Sequence, residues 1–198
     1  MVAKVNNKSE LILEAALKLF STQGFYATTI PQIAKSIGMS AGNIYNYYTS
    51  KELLAREIIR YSSKMIAEKI QKINEMPIST EEKIQKIVEA YFQIAEKKPE
   101  HLNYFLRVFL SNKEVFKDGC EGMLCVSEFM TELMIFFEEG VRKGELRNQD
   151  FFTAFGLLMG YLGGFVFLNG ENTLSRGLLT YVDEIADNIY RALKAEDA

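Results

Sequence analysis

The sequence predicts an all-α protein, with three short helices in the first 48 residues and a larger helical body after them. Three observations predict it. Apolar residues recur at three- and four-residue spacing through most of the 198 residues, the period of a helix with one buried face. Four of these stretches open on Asn, Ser or Thr with Glu or Gln three residues later, the pattern of a capping box. No run has convincing strand character: Tyr45, Tyr47 and Tyr48 cluster, but just ahead of a strong helix start.

Leu11, Ile12, Ala15, Ala16, Leu19 and Phe20 form the stripe of the first helix. Asn7 and Glu10 would cap it, and Gly24 would stop it by taking the left-handed position past its end. Thr29 with Gln32 starts the second, with Pro31 in the first turn, where a missing amide costs nothing. It runs from Ile30 to Ile37 and ends at Gly38; a third runs from Ser40 to about Tyr47. Thr49 with Glu52 opens a long helix towards Asn74. Met76-Pro77-Ile78 breaks the chain. Ser79 with Glu82 starts the next helix, with Ile84, Ile87, Val88, Tyr91, Phe92 and Ala95 on its buried side. Pro99 begins another, through Leu102, Phe105, Leu106 and Phe109. Residues 111–122 read as irregular and 124–142 as a long helix, ended by Gly140, Gly144 and the polar segment Arg147 to Asp150. Two helices close the chain, over 151–168 and 174–195.

Apolar residues make up 48% and charged residues 25%, a globular composition that excludes general disorder. Two cysteines and one histidine cannot assemble a zinc finger or a three-histidine centre within one chain, so no metal or cofactor is expected. Cys120 and Cys125 are five apart, which suits neither a redox pair nor a zinc knuckle. The apolar stretches fall short of the ~20 residues that span a membrane, and the N-terminus lacks a signal-peptide core. The expectation is a cytoplasmic protein with no membrane partner. G-x-S-x-G, H-E-x-x-H, P-loop and G-x-G-x-x-G patterns do not occur, and His101 reads as an exposed residue without a sequence-local partner. No catalytic residue is assigned, and an enzyme is not expected. The formal net charge of −3 divides into +3 over residues 1–60 and −6 over the rest, an asymmetry compatible with nucleic acid at the N-terminal end.

Two short helices separated by Gly38 are what a helix-turn-helix needs, the second being the one that enters a major groove. Gly42 would let that helix lie close to DNA, at a propensity cost of about 1 kcal/mol relative to Ala. Asn43 and Asn46, three apart, share a face, and an Asn amide pairs naturally with adenine N6 and N7. Tyr45 and Tyr47 offer hydroxyls to phosphates, while Tyr48 should turn inward. Lys51 stands at a helix start where amides point outward, a ready phosphate site; Thr28 and Thr29 could act likewise at the preceding start.

The stretch Ile12 to Leu54 resembles the DNA-binding domain of the TetR family of transcriptional regulators. The likeness rests on Ala15-Ala16 with Leu19-Phe20, Gly24, Thr28-Thr29, Ile33-Ala34, Gly38, Ser40, Gly42, Tyr45, Tyr48 and Ser50-Lys51-Glu52. Together with the reading of the residues above, it gives a DNA-binding set of Thr28, Thr29, Ser40, Ala41, Gly42, Asn43, Tyr45, Asn46, Tyr47 and Lys51. Tyr45, Tyr47 and Lys51 would then contact phosphates. Position 47 is more often His in the family, position 48 more often Phe, and position 41 often basic where this chain has Ala41. The resemblance further implies a helix-turn-helix domain over 1–50 and a helical effector-binding and dimerisation domain over 51–198.

Twelve of 14 phenylalanines and six methionines lie beyond residue 60; they fill a core or line an apolar cavity. Tyr91, Phe92, Tyr104, Phe105, Arg107, Phe109, Met130, Met134, Phe137 and Tyr161 are the candidates for an effector site. Arg107, if turned inward, would need an anion. Gly156, Gly160, Gly163 and Gly164 in one apolar helix suggest close backbone approach or a kink. In the resembling family the last two helices pair with their copies, so Leu158, Leu162, Phe165, Leu178, Val182, Ile185 and Ile189 would supply a homodimer interface, or merely close the core. The expected function is a ligand-responsive repressor that binds double-stranded operator DNA as a homodimer and is released by a small, mostly apolar effector. A constitutive architectural DNA-binding protein and an activator of the same family are the alternatives.

Overall fold

The computed structural model describes residues 7–104 and 126–196, Asn7 by its backbone alone. The helices are α1 (Asn7–Gln23), α2 (Ile30–Ser36), α3 (Ala41–Tyr45), α4 (Lys51–Asn74), α5 (Thr80–Lys97), α6 (Ser127–Arg142), α7 (Phe151–Gly170) and α8 (Val182–Leu193), with a 3₁₀ turn at Leu178–Tyr181. Residues 99–104 are also helical. The only β pairing among the described residues is an isolated bridge between Leu146 and Lys194. The fold is all-α, with a helix-turn-helix bundle first and a larger helical domain after it. Phe105, Arg107, Phe109, Cys120, Cys125 and the irregular segment expected over 111–122 lie outside the described residues.

Two compact units divide the chain within α4. The first holds the described residues to Ser63, with Glu100–Tyr104 and Val126; the second holds Lys64–Pro99 and Ser127 onward. In the first, α1, α2 and α3 close over Ile12, Ala16, Phe20, Ile33, Ala34 and Ile44, all buried. Tyr104 stacks on Phe20 with ring centroids 6.0 Å apart. His101 is buried, not exposed: its Nδ1 lies 3.0 Å from the Ser62 hydroxyl, in a position that sequence periodicity alone assigned to the surface. In the second unit α5 packs against α8, the 3₁₀ turn and α7, and α7 against α6.

Local chemistry sets the helix ends. Thr29 and Ser79 form complete capping boxes with Gln32 and Glu82. The cap of α4 is Ser50, whose hydroxyl accepts from the Leu53 amide at 3.0 Å, and not Thr49. Gly24 and Gly38 take φ of +87° and +67°, the left-handed turns expected at those positions. Gly140 lies inside α6, two residues before its end. A Cβ there would fall 2.5 Å from Leu146 Cδ1, so the glycine is the notch that admits Leu146.

The C-terminal region departs from one helix over 174–195. Arg176 stacks over the Tyr181 ring at 4.2 Å, and the Tyr181 and Ser175 hydroxyls lie 3.3 Å apart. These contacts hold a turn at which Gly177 starts the 3₁₀ segment. The expectation that no stretch reaches membrane-spanning length is also corrected. α7 carries 20 residues without a charged side chain, long and apolar enough to cross a membrane by length and composition; its threonine, tyrosine, asparagine and glycines disguise the run.

Candidate nucleic-acid interface

Ser40 opens α3 from extended backbone, its hydroxyl accepting from the Asn43 amide at 3.2 Å. Ile44 is the buried residue of this short helix and pins it to the bundle. That single inward anchor leaves the other side of α3 free. Tyr45 is 49% exposed, Asn46 is exposed, and Asn43, Ala41 and Tyr47 are half-buried. The side chains of Asn43, Tyr45, Asn46 and Tyr47 have no hydrogen-bond partner among the described residues, so amides and hydroxyls are unspent on one surface. Gly42 is exposed, and a Cβ there would meet nothing within 4 Å. The glycine therefore serves no packing need inside the chain. Tyr48 is buried, its hydroxyl 2.7 Å from Ser9, and burial pushes that hydroxyl's pKa up.

Two of the expected phosphate contacts are otherwise engaged. Thr28 is fully buried, and its hydroxyl donates to the carbonyls of Gly24 at 2.8 Å and Leu19 at 3.3 Å, closing the end of α1. It cannot present that hydroxyl to DNA; Thr29, exposed at the α2 cap, can. Lys51 turns its ammonium onto the carbonyls of Phe25 at 2.9 Å and Thr28 at 3.0 Å and over the Phe25 ring at 4.2 Å. It clamps the α1–α2 loop. Free carbonyls past a glycine-terminated helix are the signal for such a clamp, but only the tertiary fold brings residue 51 to them.

In the second unit the expected effector residues are dispersed. Tyr91 lines an apolar seam with Ile70, Ile87, Phe129, Leu133, Leu158 and Leu162, whose free space is close to that of one water molecule. Its hydroxyl is buried with no partner among the described residues, and burial raises its pKa. Phe92 and Met130 are core residues. Tyr161 accepts from Asn188 Nδ2 at 3.0 Å. Tyr104 belongs to the first unit, its buried hydroxyl also unpartnered among the described residues. Met134 and Phe137 line a separate groove.

Of the two readings of the expected dimer residues, burial within the single chain favours core closure. Leu158, Leu162, Leu178, Val182, Ile185 and Ile189 are all buried within the single chain, Leu158 and Leu162 in the Tyr91 seam. Phe165 is half-buried against Phe92, Tyr161 and Tyr181. What stays open is another surface: Phe152 at 62%, Phe167 at 65% and Leu179 at 39% exposed, with Gly156, Gly160 and Gly164 exposed along α7.

A short helix anchored by one isoleucine, with an unspent polar face and a capped helix before it across a glycine turn, defines a helix-turn-helix DNA-binding protein. Residues 12–58 match the profile of the bacterial regulatory proteins, tetR family. Residues 12–58 therefore form a DNA-binding domain of the TetR family of transcriptional regulators. It is 28% identical over 159 residues to the HTH-type transcriptional regulator YhgD of Bacillus subtilis, covering 79% of this chain and 81% of that protein. With YerO of the same organism identity is 38% over 71 residues, 36% of this chain and 25% of YerO. Among solved structures, FadR of Bacillus subtilis in complex with stearoyl-CoA superposes with a TM-score of 0.78 at 18% identity, covering 91% of this chain and 97% of that one. The fatty acid degradation regulator FadR of Bacillus halodurans gives 0.79 at 21% identity, covering 94% and 96%.

Proposed function

We propose that the protein is a ligand-responsive repressor, not an enzyme, that binds a pseudo-palindromic operator as a homodimer and is released by a small, mostly apolar molecule. The observation that carries this reading is the unspent polar face of α3, where Asn43 and Asn46 read base edges while Tyr45, Tyr47 and the Thr29 end of α2 take phosphates. Two such helices related by a two-fold axis enter successive major grooves about 34 Å apart. The charge-free, glycine-lined side of α7 with Phe152 and Phe167 supports a second copy of this chain as its cover. The orphaned Tyr91 hydroxyl in an otherwise apolar seam supports an effector with an apolar body and one acceptor. The stearoyl-CoA complex of the FadR likeness is in keeping with that chemistry. Release requires the effector to bind the DNA-incompetent state more tightly than the competent one.

The seam's narrowness favours the second reading, a constitutive architectural DNA-binding protein. Native mass measurement of protein purified from its own host, followed by titration of any co-purified molecule into the operator complex, separates the two. A bound molecule that weakens DNA binding in wild type, and does so less in Tyr91→Phe, supports the repressor. A molecule without effect on DNA, or ligand-free protein, supports the architectural reading.

A further inference from the structure

The end of α6, residues 146–149 and the first turn of α7 enclose a groove of about 350 Å³, within the size range of small-molecule sites. No residue of the Tyr91 seam lines it. Met134, Phe137, Val141 and Phe151 give it an apolar wall, and Arg142 and Arg147 line it as well. Neither arginine has an acidic partner among the described residues. Glu138 shares the groove, but one carboxylate cannot neutralise two guanidinium groups.

The segment carrying Arg147 is held from both sides. The Leu146 amide donates to Gly140 at 3.1 Å, the Arg147 amide to Leu193 at 3.0 Å, and the Ala195 amide to Glu145 at 3.2 Å. The guanidinium group is therefore presented from a fixed backbone, with little loop ordering left for an occupant to induce. An apolar wall beside two unpaired forked cations matches a molecule with a hydrocarbon tail and a carboxylate or phosphate head, the anions that guanidinium binds with paired hydrogen bonds.

We propose that this groove is a binding site for a small anionic amphiphile, separate from the effector seam. The test titrates dodecanoate and dodecyl phosphate, each below its micelle concentration, into the full-length protein. Calorimetry gives the affinity, and ¹³C-methyl-methionine NMR gives the location, since Met134 is 43% exposed in the groove. The expected result is one molecule per chain for at least one of the two probes, with a shifted Met134 methyl. Dodecanol should bind at least tenfold more weakly, as should the anionic probe to the Arg142→Gln/Arg147→Gln double variant, while Tyr91→Phe changes nothing. The dodecanol comparison uses wild-type protein and needs no variant to fold. An unmoved Met134 methyl, or less than a tenfold loss in either comparison, overturns the proposal. So does a change of oligomeric state in the ligand-free double variant, which would make the groove a contact between copies.

Discussion

Replacing Lys51 with methionine keeps the aliphatic stem and removes the ammonium. Two charge-assisted hydrogen bonds to Phe25 and Thr28 carbonyls and the contact over the Phe25 ring are lost together. Buried bonds of this kind are worth about 1.5–3 kcal/mol each, but Lys51 is half-exposed and water replaces part of the loss, leaving about 0.5–1 each. With about 0.5 kcal/mol for the ring, the total is about 1.5–2.5 kcal/mol. For a chain of this size that lowers the melting temperature by about 3–10 °C, readable by circular dichroism. DNA affinity should fall because the Thr29 end of α2 loses its support. The salt dependence should change by less than about half a unit of slope, against about 0.9 for a lost phosphate contact. Fluorescence anisotropy on an operator selected from random duplexes, at four salt concentrations, measures it. An unchanged melting temperature with a slope reduced by about 0.9 would show that Lys51 serves phosphate and that the clamp is idle.

Asn43→Ala should relax sequence preference by about 1–3 kcal/mol at one position per half-site; equal losses across all operator variants would reject its base-reading role. On the homodimer proposal, Phe167→Asp should shift sedimentation equilibrium towards monomer, whereas Phe165→Asp, whose ring meets Phe92, Tyr161 and Tyr181, should chiefly destabilise the chain. The opposite pattern would put the interface elsewhere. Gly140→Ala forces a methyl group into Leu146 and should cost about 1–3 kcal/mol in urea unfolding; neutrality would mean that the notch has slack. Hydrogen bonds from Lys143 and Lys83 hold the Glu139 pKa below the usual carboxylate value, and a bond from Thr80 does the same for Glu145. Both groups are lowered on folding, so their stabilisation is present above the unfolded value of 4.5 and is lost as pH falls through the folded values. Glu139→Gln should flatten that acid limb, and a variant curve parallel to wild type would contradict this assignment.

What could be read from the sequence was what the chain decides locally. The Thr29–Gln32 and Ser79–Glu82 boxes, the left-handed turns at Gly24 and Gly38 and the inward Tyr48 each depend on neighbours a few residues away or on one helical face. The failures share a different cause. Thr28, Lys51 and His101 are polar residues whose partners come from other elements, and polarity alone assigned them to solvent or DNA. Leu158, Leu162 and Ile189 carry the apolar period of a buried face, but periodicity does not say whether the covering surface belongs to the same chain. Within the single chain these residues are buried and Phe152 and Phe167 are exposed.

α7 also bears on how the protein is made. Its 20 residues without a charge resemble, to any machinery that reads hydropathy, a segment for insertion into lipid, and only Ala154, Leu158, Leu162 and Val166 of them are buried within one chain. A nascent chain is thus most exposed to mistargeting and to sticking to its neighbours between synthesis of α7 and the covering of its open face. The order of elements along the chain shortens that interval: α5 and α6, which α7 packs against, are already synthesised when it emerges. Moving this helix towards the N-terminus by circular permutation would leave every contact available and still lower the soluble yield.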